Sequence, residues 1–538
     1  MNTGAAFNGA APAASAARRP LRPLPWLVPL ALVVAFALQG TRGLYETTEG
    51  RYAEVAREMV ETGHYLEPTL EHRPHWSKPP LTYWSVAAGM RLLGRNEWGV
   101  RAANGLAFVL TVLAVAGIGA ALWGGAAGPS AGLAAGLIYL SSPLPVVGEA
   151  SVSADMLLAL WETLAVLCYV RAWRAAGGGP GGLRRPAGGG RRRAWLWTLG
   201  LWAALGLAFL TKGPPGLLPL LPLGVFHWRA GRPFRLLEPA GLALFAATGL
   251  SWYAIVIARR PELLSYLVGQ EVVARNFSDR FHRNPQWYGP LVIYGPALLL
   301  GQGLWLYHGI RTLGREGLHR PATLVRRLRG RGEPGSLLLL WLLLPLAAFC
   351  LSRSRLPMYV LPLYAPIALG LARGLTGPGT GKARESTGAR VAAGGLARVG
   401  RLAALSAAGL IVLKAASAVV PGSGDMGALH RAVREAETAA GAPGAEIRAY
   451  REPALHGLQF YLDGHLRRVS RAGAEPWADE SLAQAVEAMA AAETYRSFVL
   501  LTRTKWAGEL ESALRAAGLP YAGSEAPGRA LFVVGGGG

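Results

Sequence analysis

Apolar positions along the chain come in blocks. Runs of about 20 apolar residues recur, each long enough to cross a ~30 Å hydrocarbon layer as a helix with its backbone polar groups satisfied internally. Eleven such runs fall near 25–41, 103–124, 130–148, 154–172, 195–211, 214–229, 236–257, 287–307, 336–352, 356–373 and 403–420. They lack the alternation of strands and the single stripe of a half-solvated helix, so they read as membrane spans. The first could instead be a signal peptide, but it ends in LQGTRG, without a small-residue cleavage site, and is read as a span.

Two stretches break the pattern. Residues 42–102 form a loop far longer than a link between spans needs. From residue 422 onward, helix-like segments (DMGALHRAVREAETAAG, DESLAQAVEAMAAA, AGELESALRAAG) alternate with strand-like ones (EIRAYR, RRVS, SFVLLTR, ALFVV), the pattern of a small α/β domain. The expected fold is mainly α: a polytopic transmembrane helical bundle of about eleven spans with a small C-terminal soluble α/β domain. Residues 1–22 would be a disordered cytoplasmic N-terminus, 23–421 the membrane unit and 422–538 the soluble unit. The glycine clusters at 177–190 and 535–538 are linker-like.

Charge sets the orientation. The chain holds 55 basic against 32 acidic residues, and all but five of the basic ones are arginine. A net charge of +23 could suggest nucleic acid, but the arginines collect in 171–193, 311–331 and 373–401, with RRPLRP before the first span. Positive loops stay cytoplasmic, and strict alternation through eleven spans puts every one of these segments on that side. The same alternation exposes 42–102, 149–154, TKGPPG (211–216), 258–286, SRSR (352–355) and the tail on the outer side. The loop at 258–286, with five arginines against three acids, fits the charge rule poorly. Both cysteines, Cys168 and Cys350, fall within spans and offer neither a disulfide nor a metal cluster.

The outer loop carries candidate chemistry. Between Glu46 and Glu97 lie eight glutamates. TTEGRYAEVAREMVETGH reads as an amphipathic helix on the membrane surface, capped by Thr47 or Thr48, ending near Gly63, with Tyr52, Val55 and Met59 on one face. Glu54 with Arg57 and Arg57 with Glu61 have helical pair spacing and read as scaffolding. Glu49, in the first turn, either stabilises the helix dipole or acts catalytically. In HRPHWSKPPLTYW two prolines display Lys78 on a stiff extended segment between aromatic residues. A chain that writes arginine almost throughout has written lysine in SKPP and, as Lys212, in TKGP. A compact ammonium at a membrane surface suits a lipid phosphate. Asp155 opens a span in SVSADMLLALW, where capping and function are both open. Arg355 and Tyr359 in LSRSRLPMYVLPLY either anchor a span edge or contact phosphate.

RYAEVAREM, SKPPLTYW, SADMLLALW, GLAFLTKGPPGLLPLLP and SRLPMYVLPLY, in that order, resemble the lipid-carrier-dependent glycosyltransferases of the GT-C fold, most closely the bacterial aminoarabinose transferases that modify lipid A and more distantly the protein O-mannosyltransferases. The likeness spans residues 40 to 370. It implies a membrane enzyme moving a sugar from a polyprenyl-phosphate donor to an acceptor hydroxyl on a lipid A-like glycolipid, or on a glycan or protein, at the periplasmic face of the bacterial inner membrane. Nucleic acid is not an expected partner.

Carried over by motif, Lys78 would contact the carrier phosphate, with Arg51, Tyr52, Lys212, Arg355 and Tyr359 lining the cavity. Asp155 matches the acid that opens the corresponding helix. A further phosphate ligand would come from Arg275, Arg280 or His282. Two positions depart from the family pattern. Thr48 stands where the family often has an aspartate acid or base, which passes that role to Glu49, with Glu46 or Asp155 as alternatives. Ser77 stands where the aminoarabinose transferases have a glutamate implicated in metal binding, which argues against a divalent metal; no other cofactor is implied. A transporter is the rival class. Its charges would sit at the midplane, whereas these gather at one rim, and the one clear intramembrane charge, Lys414, reads as snorkelling outward.

Overall fold

A computed structural model describes residues 24–124, 127–179, 182–183, 189–274, 283–376, 385–420, 422–473, 475–492 and 496–535. The N-terminal segment 1–22 and the candidates Arg275, Arg280 and His282 lie outside the described residues.

The apolar runs fold as helices. Seven helices are long and apolar enough to span: α4 (Glu97–Trp123), α7 (Ala154–Ala175), α8 (Gly190–Lys212), α10 (Pro239–Arg259), α14 (Pro334–Leu351), the segment Pro357–Thr376 and the part of α16 (Glu385–Val419) from Ala393. The segment Pro357–Thr376 starts as a 3-10 turn and continues as α15 (Tyr364–Thr376). Two more apolar stretches are bent helix pairs, with the geometry of a broken span or a re-entrant loop: α5 (Ala127–Leu140) with α6 (Pro143–Ala150), bent by 59°, and α11 (Pro290–Leu300) with α12 (Trp305–Arg315), bent by 101°. The first break has a plain cause, since Pro143 drives Ser142 into extended backbone and cannot donate to the preceding turn. The protein is a multi-span membrane protein.

The remaining two expected spans come out shorter. The run 25–41 is helical only as α1 (Leu24–Phe36), and 214–229 starts at Pro214 as a 3-10 turn (Pro214–Leu217) and, past a break at Leu218–Pro219, becomes α9 (Leu220–Arg229). A run of apolar residues reports burial in lipid; it does not report whether prolines inside it leave one helix or two.

The ends of the bundle divide the charge as the alternation requires. At one end Arg229 donates to the Leu328 carbonyl, at the end of α13 (Pro321–Leu328), and the Ser336 hydroxyl donates to the same oxygen. Gly395 lies against the Leu375 carbonyl at that end. The opposite end gathers the segments around Glu49, Lys78, Val152, Lys212 and Tyr359. Lys414 departs from its expected role. Its ammonium is 2.8 Å from a Glu149 carboxylate oxygen and donates to the Val34 carbonyl at 2.9 Å, so it is paired inside the bundle rather than reaching outward. Glu149 and Glu162 are further buried carboxyl groups in helices of the bundle, so Lys414 is not the single charge there.

The long loop forms α2 (Thr48–Thr62) and α3 (Leu81–Leu93). The first ends at Gly63, whose φ of 72° is the left-handed stop expected there. Tyr52, Val55 and Met59 form the buried face, and Arg57 is 2.8 Å from Glu54 and pairs with Glu61. The expectation of an open membrane-surface helix needs correction, because Glu54, Arg57 and Glu58 are buried as well. The tail covers them. Gly50 sits so close to Gly457 that a Cβ there would lie 2.4 Å from its nitrogen, and only a glycine pair permits this approach.

The tail itself is a six-stranded sheet: β1 (Glu446–Tyr450), β2 (Leu466–Ser470), β3 (Glu480–Ser481), β4 (Phe498–Arg503), β5 (Tyr521–Ala526) and β6 (Arg529–Val534), in the order β3-β2-β1-β4-β6-β5. The first four run parallel and the last two antiparallel. All four strand-like segments of the sequence are strands; the mostly exposed edge strand β5 and the helix His456–Tyr461 were not foreseen.

Candidate active site

A cavity of about 510 Å³ opens at the rim where these segments meet. Ser77-Lys78-Pro79 forms one wall, the Lys212 end of α8 a second, the helical turns 266–274 a third and the Tyr359 turn a fourth. Between them the lining is apolar, with Leu218, Leu250, Ile257 and Leu267 continuing the surface toward the membrane.

Each charged group is set by local structure. Pro79 and Pro80 keep Lys78 out of the helix that begins at Leu81; its ammonium donates to the Ser77 carbonyl at 2.6 Å and lies 3.2 Å from Glu271. Lys212 closes α8 just before Gly213, whose φ of 74° and the following prolines end the helix. Its ammonium hydrogen-bonds Asp155 and stands 4.2 Å from the centre of the Tyr359 ring. Asp155 sits in the first turn of α7, where Ser153 caps the helix and donates to the second carboxylate oxygen at 3.1 Å. Tyr52 packs against Tyr83 at 5.1 Å and its hydroxyl meets the Ala154 main chain beside Asp155. Burial raises the Tyr52 pKa and pushes Tyr83 up to about 12, so both stay protonated. Arg51 is close enough to lower the pKa of Tyr83 and of His75. Burial first, then Arg51, His456 and Lys78, push His75 down to about 3, leaving it neutral 2.7 Å from the Ser77 hydroxyl.

Two expected site residues are engaged elsewhere. Glu49 does not point beyond its helix into the cavity. It is fully buried and accepts from Arg101 at 2.8 and 3.0 Å, from Arg42 at 3.2 Å, and from the main-chain nitrogens of Tyr45 and Val152 at 2.9 and 3.4 Å. Although burial opposes ionisation, Arg101 and Arg42 hold its carboxyl below the usual range. Its oxygens have no capacity left for an acceptor. Arg355 likewise faces the protein: its guanidinium donates to the carbonyls of Asn284 and Gln286 at 2.8 Å and of Cys350 at 3.1 Å, fastening the chain at 284–286 to the end of α14. Glu46 is turned toward the tail and accepts from Gly457 at 2.7 Å.

Sequence reading missed Glu271, Tyr83 and His75. The signal for Glu271 was an acid within a loop otherwise rich in arginine, on the side away from the other arginine loops. Among the described residues no three His, Cys, Asp or Glu side chains converge as a bound metal ion would require.

Known proteins resemble this chain in sequence and fold. A family model described as dolichyl-phosphate-mannose-protein mannosyltransferase matches residues 41–255. An undecaprenyl phosphate-alpha-4-amino-4-deoxy-L-arabinose arabinosyl transferase of Pseudomonas fluorescens is 32% identical over 358 residues, covering 64% of this chain and 55% of the relative. The corresponding transferase of Pseudomonas paraeruginosa is 31% identical over 392 residues, covering 71% and 65%. The chain thus spans 55% of the first relative's length and 65% of the second's. The crystal structure of ArnT from Cupriavidus metallidurans bound to undecaprenyl phosphate superposes with a TM-score of 0.71 at 21% identity, over 95% of this chain and 97% of that one. The fold is the same, and the chain resembles the aminoarabinose transferases in sequence.

Proposed function

We propose that this protein, sharing the GT-C fold and the ordered motifs of the lipid-carrier-dependent glycosyltransferases, moves a pentose from undecaprenyl phosphate to a hydroxyl of a lipid A-like acceptor. The observation that carries the reading is the pairing of Lys78 and Lys212, from distant parts of the chain, on one apolar-walled cavity at a membrane rim. Apolar walls suit a polyprenyl chain, and the two ammonium groups suit its phosphate. The arginine loops gather at the other end, which supports a cavity facing the periplasm. Nucleotide sugars are absent there, so a transferase on that side draws on a lipid-borne donor.

In the reaction the acceptor oxygen attacks the anomeric carbon, the bond from that carbon to the phosphate oxygen breaks, and the electron pair leaves with undecaprenyl phosphate. Lys78 and Lys212 stabilise the departing charge. On arrival of the phosphate each lysine exchanges its carboxylate partner, Glu271 or Asp155, for phosphate oxygens. Asp155 thereby becomes available to take the acceptor proton. It is preferred over Glu271 because it stands on a long span and is oriented by Ser153. Glu49 is assigned a positioning part, holding Val152 and so the turn that presents Asp155. Tyr359 stacks on Lys212; Tyr52, with Arg51 6.0 Å from its ring, is buried against the Ala154 main chain next to Asp155 and is not among the residues lining the cavity. Arg275, Arg280 and His282 remain candidates for further phosphate contacts.

The test is reconstitution in liposomes with undecaprenyl-phosphate aminoarabinose and lipid A. The expected result is a lipid A mass increase of one aminoarabinose. Glycosylated peptide with unmodified lipid A would move the acceptor to protein, and release of neither product would overturn the reading.

A further inference from the structure

The end of the bundle away from the cavity carries a second charged feature. Helices α12 and α13 form a hairpin, clasped by Arg327 donating to Glu316 at 2.6 Å. Residues 305–332 contain seven arginines and a single glutamate, the one used in that clasp. Arg311, Arg315, Arg320, Arg326, Arg329 and Arg331 are exposed. On α12 the exposed side chains Tyr307, Ile310 and Leu313 lie at helical spacing, 59%, 62% and 51% exposed, and the Arg311 guanidinium donates to the Tyr307 hydroxyl at 2.9 Å.

The depth of this hairpin follows from its neighbours. Gly374, near the end of α15, is so close to Thr312 that a Cβ there would meet its methyl at 2.6 Å, and Leu328 is tied to the ends of α9 and α14. The apolar stripe of α12 thus lies beside the last turns of the spanning helix α15, with Gly309 against Leu371 and Thr312 against Gly374; Arg311 stands within it and the other arginines follow it. An apolar face beside an arginine-rich face, at the border of a bilayer, is complementary to lipid tails beside anionic headgroups. Nucleic acid would match the charge but not the exposed apolar stripe.

We propose that the α12–α13 hairpin is a binding surface for anionic phospholipid headgroups of the leaflet opposite the cavity. The Tyr307, Ile310 and Leu313 side chains enter the acyl region, and Arg311, Arg315, Arg326 and Arg329 engage phosphates. This goes beyond the transfer reaction and does not depend on it.

Native mass spectrometry of the full-length protein in detergent, titrated with phosphatidylglycerol or phosphatidylcholine, tests it. The expected result is a preference for phosphatidylglycerol that falls about 10-fold or more when Arg311, Arg315, Arg326 and Arg329 are all changed to Gln. It should persist when the same four are changed to Lys, and when Arg191, Arg192 and Arg193 are changed to Gln. Wild-type protein should lose the preference as salt rises from about 0.05 to 0.5 M, and the pairs Arg311→Gln with Arg315→Gln and Arg326→Gln with Arg329→Gln should each weaken it, which tests the surface even if the fourfold Gln variant does not fold. A Gln variant with undiminished preference overturns the proposal. So does full competition by millimolar inorganic phosphate, which would reduce the surface to a simple anion site.

Discussion

Glu49 and Arg101, 52 residues apart, are joined by two hydrogen bonds of 2.8 and 3.0 Å inside the protein, where neither side chain meets solvent. The carboxylate expected to work on substrate is an internal anchor. Removing one partner of a buried pair leaves the other charge stranded, at a cost of about 3–5 kcal/mol. Arg101→Met should therefore lower thermal stability and yield in detergent, and Glu49→Gln should lower them too. Turnover per folded molecule should fall less than ~10-fold for Glu49→Gln, the outcome for a positioning residue. A ~100-fold fall at unchanged melting temperature would return Glu49 to the reaction itself.

Asp155→Asn keeps the Ser153 cap and the size of the side chain but cannot hold a proton from the acceptor. Turnover should drop by about 100-fold or more, while the donor KM should fall, because Lys212 no longer has to exchange its carboxylate partner for the phosphate. Single-turnover assays with saturating donor separate the two quantities.

Lys78→Ala should weaken donor binding and the chemical step together, because the ammonium serves the phosphate in both. Glu271→Gln should act oppositely on binding. Without its carboxylate partner Lys78 engages the phosphate without exchange, so the donor KM should fall while turnover changes by a few-fold at most. A ~100-fold loss of turnover in Glu271→Gln would make Glu271, and not Asp155, the proton acceptor.

The docking of the tail should depend on pH. Glu71 on the loop is gripped by His456 and Arg468 of the tail, and these hydrogen bonds outweigh burial and hold its carboxyl down to about 2. A depressed carboxyl adds stability that is fully present above its unfolded value of 4.5 and is lost as pH falls toward 2. His75, lowered to about 3, acts in the same direction: between 6.5 and about 3 the unfolded chain binds a proton that the folded one refuses. Protection of 456–470 against hydrogen exchange, taken relative to the intrinsic rate at each pH, should therefore decrease as pH falls from 6.5 toward 3. Glu71→Gln should show fast exchange already at neutral pH and remove the part of the slope below 4.5.

The spans and four of the six tail strands could be read from the sequence because their signals are local: a long apolar run for lipid, a short strand-like run between helix-like segments for a strand, a glycine such as Gly63 for a helix stop. Charges were harder. Lys78 and Lys212 were legible because prolines fix the backbone beside them and because lysine is rare in this chain. Glu49 and Arg355 face away from the expected cavity for one physical reason, that their partners lie far off in sequence. Arg101 and Val152 occupy Glu49, and Asn284 and Gln286 occupy Arg355. Glu271 was passed over because only the fold brings it, 193 residues away, to Lys78. Helix spacing shows which charges can meet along one turn and is silent on those that meet across the bundle.

The last helix of the bundle, α16, offers little grip of its own: only 22% of its apolar window is buried against the rest of the protein. Lys414 changes that balance. Were the helix to drift into the surrounding lipid, its ammonium would leave Glu149 and Val34 for oil, and the Glu149 carboxyl would lose the partner that favours its charged form, both at a cost in a site water cannot reach. One polar rivet thus does what a broad greasy seam does elsewhere, and since the tail hangs directly from this helix, it keeps the lid over α2 moored to the bundle.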